Sequence, residues 1–379
     1  MSGFQERPIP FRYLGIPISY KRISVGDCSR LVERMMSRIR GWGAYKLSYA
    51  GRYTLVQSVL SQLYTYWARI FIIPITVINK LMGICRNFLW SGSEEFLKVP
   101  PVSWDRICQD KKSGGLGVIN SRIWNQAMIG KYCWWIVSKA GHLWIKWVNH
   151  IYIKGQAWFD YIPTNNSSWA WRIICKVKEQ LKAGYVQNVW CSKDGTYCTA
   201  NGYDWLMGQS IRVPWYPIVW SSLNLPKTSF IAWLYMQQRP LTKDRLCHFG
   251  MNINPICDLC LVHSEDHDHL FFQCKFSKAC LQCVNDWLGM QIPETQAVQW
   301  CLQLRSTSLL KKQILWCVLC DLIYRIWLAR NVCRVDAYTP HPSVILRVIQ
   351  GDISTRIKTR ISVVKHRESL VWLKSLSLI

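Results

Sequence analysis

Carboxylates are scarce in this sequence. Asp and Glu number 22 against 47 Lys and Arg, a formal charge of +25 over 379 residues. No two Asp are adjacent, so the consecutive Asp pair that holds metal ions for phosphoryl transfer in a polymerase is missing. Gly-x-Ser-x-Gly and His-Glu-x-x-His are absent too, which removes the sequence marks of an α/β-hydrolase and of a zinc protease. Lys112-Ser113-Gly114-Gly115-Leu116-Gly117 is not a phosphate loop, because its lysines precede its glycines; it reads as a turn. Long apolar runs are lacking as well. The best, Ile314 to Ala329, is short and carries Asp321 and Arg325, so it reads as a buried amphipathic helix rather than a membrane span. Met1-Ser2-Gly3-Phe4-Gln5-Glu6-Arg7 is polar with no apolar core behind it, unlike a signal peptide. The 17 cysteines, an odd number in a long chain, suit a reducing compartment better than a disulfide framework. The expectation is a chain of the nucleus or cytoplasm without membrane association.

What is abundant points to a polyanion. The positive excess is not confined to one tail: the first fifty residues hold nine basic and three acidic side chains, and Ser343 to the end holds seven and two. Such a surface attracts phosphates over a long range and releases counterions on binding them. The competing reading is a basic protein whose charge only keeps it soluble. Tryptophan, with 22 residues, fills cores and can also stack on bases; for any single Trp the core reading is the stronger one.

One stretch carries metal-ligand spacing. Cys257-Asp258-Leu259-Cys260 places two thiols on one tight turn, and His269-Leu270-Phe271-Phe272-Gln273-Cys274 follows with an imidazole and a third thiol. Three sulfurs and one nitrogen satisfy a tetrahedral Zn²⁺ with no open position, which makes a structural site and not a catalytic one. The order is also similar to that of zinc knuckles that handle single-stranded nucleic acid. His269 precedes an apolar Leu-Phe-Phe segment that would anchor it; His263 and His267 compete for the fourth place, with Cys247-His248 a weaker rival, and spacing does not choose among them. Glu265, Asp266 and Asp268 sit where a carboxylate could orient the His269 ring by accepting its free N–H, or where a loop would simply be solvated. Two other Cys-x-x-Cys pairs read as structure: Cys317/Cys320 as buried core, Cys280/Cys283 as a helix face.

Elsewhere the pattern is mostly helical. Phe11 to Ile18 reads as a short β segment closed by Gly and Pro. Leu31, Val32, Met35, Met36 and Ile39 recur at helical spacing, with Arg30, Arg34, Arg38 and Arg40 opposite. Helices are expected over Tyr53 to Ala68, with Ser48 a possible cap, and over Thr76 to Trp90. Trp190 to Tyr203, with Asp194-Gly195 inside, has hairpin chemistry.

Tyr13-Leu14-Gly15-Ile16-Pro17, Leu47-Ser48-Tyr49-Ala50-Gly51-Arg52, Phe88-Leu89-Trp90-Ser91-Gly92, Lys112 to Gly117 and Trp124-Asn125-Gln126-Ala127 follow in the order found just past the polymerase core of plant LINE-type (non-LTR) reverse transcriptases, which this chain resembles. Leu225-Pro226-Lys227, Phe230-Ile231-Ala232-Trp233 and Leu241 to Leu246 are similar to that family's zinc-binding domain, with Cys257, Cys260, Glu265, His269 and Cys274 at its cysteine and histidine motif. Ile323 to Trp327 and Ala329-Arg330-Asn331 resemble the helix that follows. The resemblance implies four stretches: a thumb-like helical remnant (1–98), a Trp-rich helical connector (99–185), the zinc-binding domain (186–292) and a helical basic tail (293–379).

The fold expected is mainly α with a few short β-hairpins and a small zinc-stapled module. The family's polymerase Asp pair and its ribonuclease H carboxylates have no counterpart here; after Arg334 only Asp336, Asp352 and Glu368 remain. A non-catalytic chain is therefore expected, with structural Zn²⁺ held by Cys257, Cys260, His269 and Cys274. The resemblance implies a grip on template RNA or target DNA, with Arg30, Arg34, Arg38, Arg52, Lys227, Lys243 and Arg245 as candidate phosphate contacts. A protein-interaction scaffold with a purely structural zinc site is the alternative.

Overall fold

The computed structural model describes residues 11–13, 16–18, 22–43, 47–95, 99–186, 189–294, 296–304, 308–360 and 367–378. Met1 to Arg7, Leu14 and Gly15, which entered the reading above, lie outside them. The chain opens with an antiparallel pair, β1 (Phe11–Tyr13) and β2 (Ile16–Ile18), Phe11 opposite Ile18. Helices follow: α1 (Ser29–Gly41), α2 (Tyr49–Leu55), α3 (Ser61–Ala68), α4 (Ile75–Ser91), α5 (Trp104–Cys108), α6 (Ser121–Val137), α7 (Leu143–Val148), α8 (Trp169–Val186) and α9 (Thr199–Met207). The rest is α10 (Tyr216–Val219), α11 (Pro226–Met236), α12 (Lys243–His248), α13 (Lys275–Leu288), α14 (Ala297–Gln303), α15 (Leu309–Asp336), α16 (Pro342–Arg360) and α17 (Arg367–Ser375). They divide into two compact units, one of Met1–Leu47, Gly51–Pro100 and Gly117–Ile211, the other of Ser48–Ala50, Pro101–Leu116 and Arg212–Ile379. Both are assembled from non-contiguous segments.

In the first unit α1 buries Leu31, Val32, Met35 and Ile39 and turns Arg30, Arg34 and Arg38 to solvent, as its spacing requires. The helix expected over Tyr53 to Ala68 is interrupted by a wide turn at Val56–Leu60, after which the Ser61 hydroxyl donates to the Val56 carbonyl at 2.9 Å. The Trp-rich middle is a packed core. Trp158, Trp171 and Trp190 are buried with Ile129, Cys133, Val148 and Leu181. Tyr197 donates to the Ala127 carbonyl at 2.6 Å, and α6 and α9 close on its ring through Gly130 and Gly202, where a Cβ would lie 2.4 and 2.1 Å from the hydroxyl. Buried Lys178 donates to the Tyr161 carbonyl at 2.7 Å and to those of Trp158 and Phe159 at 3.4 Å and pairs with Glu179 at 2.6 Å, so its charge is met by backbone dipoles and one carboxylate. The expected Trp190–Tyr203 hairpin is corrected. It is shorter than read: the antiparallel bridge of Cys191 with Tyr197 is flanked by Ser192 N–H donating to the Thr196 carbonyl at 2.7 Å and Cys198 N–H to the Trp190 carbonyl at 3.0 Å, so a tight hairpin closes around Asp194-Gly195 and ends where α9 begins at Thr199. With Tyr203 inside a helix, its phenol instead accepts from the Asn120 backbone N–H at 3.0 Å.

The second unit is built around α15, twenty-eight residues buried from Ile314 through Ile326 on all but a few positions, with α11, α13 and α16 packed near it. Ile314 to Ala329 is thus the inner part of a longer helix. Cys317 and Cys320 are buried there, their thiols donating to the Leu223 and Ile218 carbonyls. Lys112 to Gly117 is a turn: Gly114 has φ +89°, and its carbonyl accepts from Trp233 Nε1 at 2.8 Å and Gln237 Nε2 at 2.6 Å. Gly115 admits no side chain, since a Cβ would sit 1.9 Å from the Gln109 oxygen. Among the described residues no helix is long and apolar enough to cross a membrane, and all 17 cysteines are free thiols.

Candidate metal centre

The ligand stretch lies between α12 and α13. A bridge pairs Ile256 with Ser264, and Glu265 N–H donates to the Pro255 carbonyl at 2.8 Å, closing the loop at its base. Within it Cys257 N–H donates to the His263 carbonyl at 2.8 Å and Leu261 N–H to the Cys257 carbonyl at 2.9 Å. Leu261 adopts φ +57°, a left-handed conformation that tightens the turn carrying both Cys257 and Cys260. The other two ligands come from a different device. Asp266 Oδ1 accepts the His269 N–H at 2.7 Å and starts a wide helical turn over His269–Gln273, closed by Cys274 N–H donating to the His269 carbonyl at 2.7 Å. In an ordinary α-helix residues five apart diverge by about 140°. The wide turn brings His269 and Cys274 onto one side. Leu270, Phe271 and Phe272 anchor it in the core, and Ser277 Oγ donates to the Leu270 carbonyl at 2.6 Å.

These turns converge. One ligand atom from each of Cys257, Cys260, His269 and Cys274 lies within 4.8 Å of the others. Cys257 Sγ is 4.0 Å from Cys274 Sγ, and Cys260 Sγ is 3.4 Å from His269 Nε2. A tetrahedral zinc with bonds of about 2.3 Å to sulfur and about 2.0 Å to nitrogen has ligand–ligand edges of roughly 3.5–3.8 Å. The 3.4 and 4.0 Å separations stand near that spacing, no pair exceeds 4.8 Å, and the donor set fits Zn²⁺. Burial holds the His269 ring below its ordinary pKa, leaving a neutral imidazole with a lone pair to give. The contact between the two sulfurs holds the Cys274 thiol below its ordinary pKa and pushes that of Cys257 up. Cys257 and Cys274 are fully buried, Cys260 half-buried.

The rival ligands are elsewhere. His267 stacks on Tyr235 with centroids 4.5 Å apart and Nε2 3.1 Å from the Tyr235 carbonyl. The His263 ring lies 5.6 Å from that of His269 but contributes no atom to the cluster. Cys247 donates to the Ile253 carbonyl at 3.7 Å. The carboxylates do not take the role suggested for them. Asp266 holds the His269 backbone rather than its ring, Asp268 pairs with His267 at 3.2 Å, and Glu265 is wholly buried against Arg330 at 2.6 Å.

The basic candidates divide. Arg30, Arg34 and Arg38 are exposed on α1, the first two beside an open groove of about 580 Å³ whose other wall includes Tyr66 and Trp67. Arg52 is half-buried with Nη1 3.5 Å from the Trp90 carbonyl. Lys227 lies 3.9 Å from Asp352, and Arg245 donates to the Gln238 carbonyl at 2.7 Å. Lys243 is a correction. It is 6% exposed, its ammonium 2.5 Å from the Ile256 carbonyl and 2.6 Å from Asp258, so it braces the ligand loop and has no reach to a phosphate. Sequence reasoning missed the role of Arg330. A charged residue on the buried face of an apolar helix was the available signal, but nothing in the spacing named its partner.

Three thiols and one imidazole on two short turns, set in a helical scaffold, form a candidate metal site whose donors are those of zinc. Residues 197–280, which contain the whole of it, match the family described as zinc-binding in reverse transcriptase. That stretch is a reverse-transcriptase zinc-binding domain. Among curated proteins the chain is 34% identical over 163 residues, 42% of its length, to an Arabidopsis thaliana protein named "Putative ribonuclease H protein". It spans only 26% of that relative. It is 26% identical over 137 residues, 36% of its length, to an "Uncharacterized mitochondrial protein" of the same plant, covering 87% of that protein.

Proposed function

We propose that the chain is a non-catalytic, zinc-stapled, nucleic-acid-gripping portion of a LINE-type reverse transcriptase. The observation that carries this reading is the Cys257, Cys260, His269 and Cys274 cluster lying inside the stretch that matches the reverse-transcriptase zinc-binding family. Zinc would be held by these four side chains and would supply cross-linking, since a closed donor set leaves no place for a reacting water. The ribonuclease H of the Arabidopsis relative's name does not carry over: the match is 26% of that protein, and the carboxylates such chemistry needs are scarce here. The grip itself rests on the formal +25 and on the exposed Arg30, Arg34 and Arg38. Contacts of this kind position a backbone and read no bases.

Metal content by mass spectrometry tests the first half: one zinc per chain, lost in Cys257→Ser and in His269→Ala. A salt titration of binding to single-stranded RNA tests the second. The logarithm of affinity should fall linearly with that of salt, and removing one contacting arginine should lower the slope by about 0.7. A flat response would favour a protein-interaction scaffold, and primer extension by the isolated chain with Mg²⁺ would refute the non-catalytic reading.

A further inference from the structure

The ligand loop is tied to the far end of α15 by buried charges that neither the ligand spacing nor the family match accounts for. Glu265 is wholly buried and Arg330 is 3% exposed. Arg330 Nε lies 3.0 and 3.1 Å from the two Glu265 oxygens, and Nη2 lies 2.6 Å from Oε1. That same oxygen accepts the Lys243 backbone N–H at 3.0 Å, while Arg330 Nη2 also reaches the Leu241 carbonyl at 3.3 Å. Three residues further along α15, Cys333 donates to the Asp258 carbonyl at 3.2 Å, between the first two metal ligands. Phe271, between the other two, stacks on Trp327 at 6.5 Å and 23°. The C-terminal half of α15 therefore touches both ligand turns.

A carboxylate this deep is tolerable only while its guanidinium is in place, and the guanidinium only while the carboxylate is. Each half of the pair thus holds the other's element in register. We infer that Arg330 is a positioning residue for the metal centre, and that metal occupancy and the order of the last turns of α15 are one coupled equilibrium. Because coupling between two events is reciprocal, loosening α15 weakens the metal as much as removing the metal loosens α15. The inference rests on the metal reading above and goes beyond it, since a structural knuckle needs no communication with a helix 65 residues away in sequence.

The test uses the full chain loaded with zinc, with hydrogen exchange followed by peptide. Chelation of the wild type should speed exchange in residues 321–336 of α15 as well as in 255–274, while α6 stays unchanged. Arg330→Met strands the carboxylate; the double variant Glu265→Gln/Arg330→Met removes both charges and keeps the experiment readable should the single variant fail to fold. The double variant should bind zinc about 10- to 100-fold more weakly in competition with a chromophoric chelator. In it, chelation should no longer reach α15. Exchange in α15 that ignores chelation of the wild type overturns the inference, as does wild-type affinity in the double variant. A wild-type chain that holds no zinc overturns the metal reading and this one together, whereas bound zinc with an indifferent α15 overturns only this one.

Discussion

The Trp-rich core of the first unit and the metal knuckle of the second solve the same problem by opposite means. Around Trp158, Trp171 and Trp190 the chain has ample apolar surface, and the deep charge of Lys178 is absorbed by three carbonyls and Glu179. Between Pro255 and Cys274 apolar surface is short outside Leu270 to Phe272, and order rests on four metal-type ligands and the Glu265–Arg330 pair. The difference teaches where each region is vulnerable. A core held by dispersion and burial responds to lost volume and ignores chelators. A loop held by donors responds to protons, metal and charge, because its folded shape is in part the free energy of ligation.

The strongest way to break the comparison is to remove a ligand. Cys274→Ser should abolish zinc binding and cost the second unit most of what the metal contributes, on the order of several kcal/mol in a small metal-dependent module. Exchange in 255–274 should become fast while peptides around Trp190 keep their protection. Trp190→Ala is the reciprocal experiment. Emptying that site should cost the first unit about 3–5 kcal/mol in chemical denaturation, with zinc stoichiometry unchanged. Loss of metal in Trp190→Ala would show that the two regions are not independent in stability.

A smaller effect sharpens the contrast within the second unit, where α15 carries a buried carboxyl away from the metal. Burial raises Asp321 to about 7, against the opposing charge of Arg325, 3.2 Å away. Unfolded, the same group ionises near 3.8. From there to about pH 7 the folded chain keeps a proton that the unfolded chain has released, so stability falls as pH rises through that window. The slope is at most about 1.4 kcal/mol per pH unit. Asp321→Asn should flatten it, as measured by denaturant midpoints from pH 4.5 to 7.5. Asp321 lies outside the ligand stretch, so the difference between the two proteins isolates it.

Local chemistry was legible along the chain. Helical spacing of Leu31, Val32, Met35 and Ile39 placed α1 and its basic face, and Cys-x-x-Cys marked the ligand turn, because both signals repeat within a few residues of backbone geometry. The span of α15 and the early end of the hairpin after Trp190 were less legible, since helix ends and short strands depend on what packs against them.

The composition of the metal site belongs to the sequence, for a closed set of three thiols and one imidazole follows from residue type and spacing alone. Which imidazole joins was decided by tertiary structure: the wide turn delivers His269, and Tyr235 captures His267. Tertiary structure also turned Lys243 inward and joined Glu265 to Arg330 across 65 residues. A buried charge takes whatever opposite partner the closed fold presents, and closure over such distances is written in no local window of the chain.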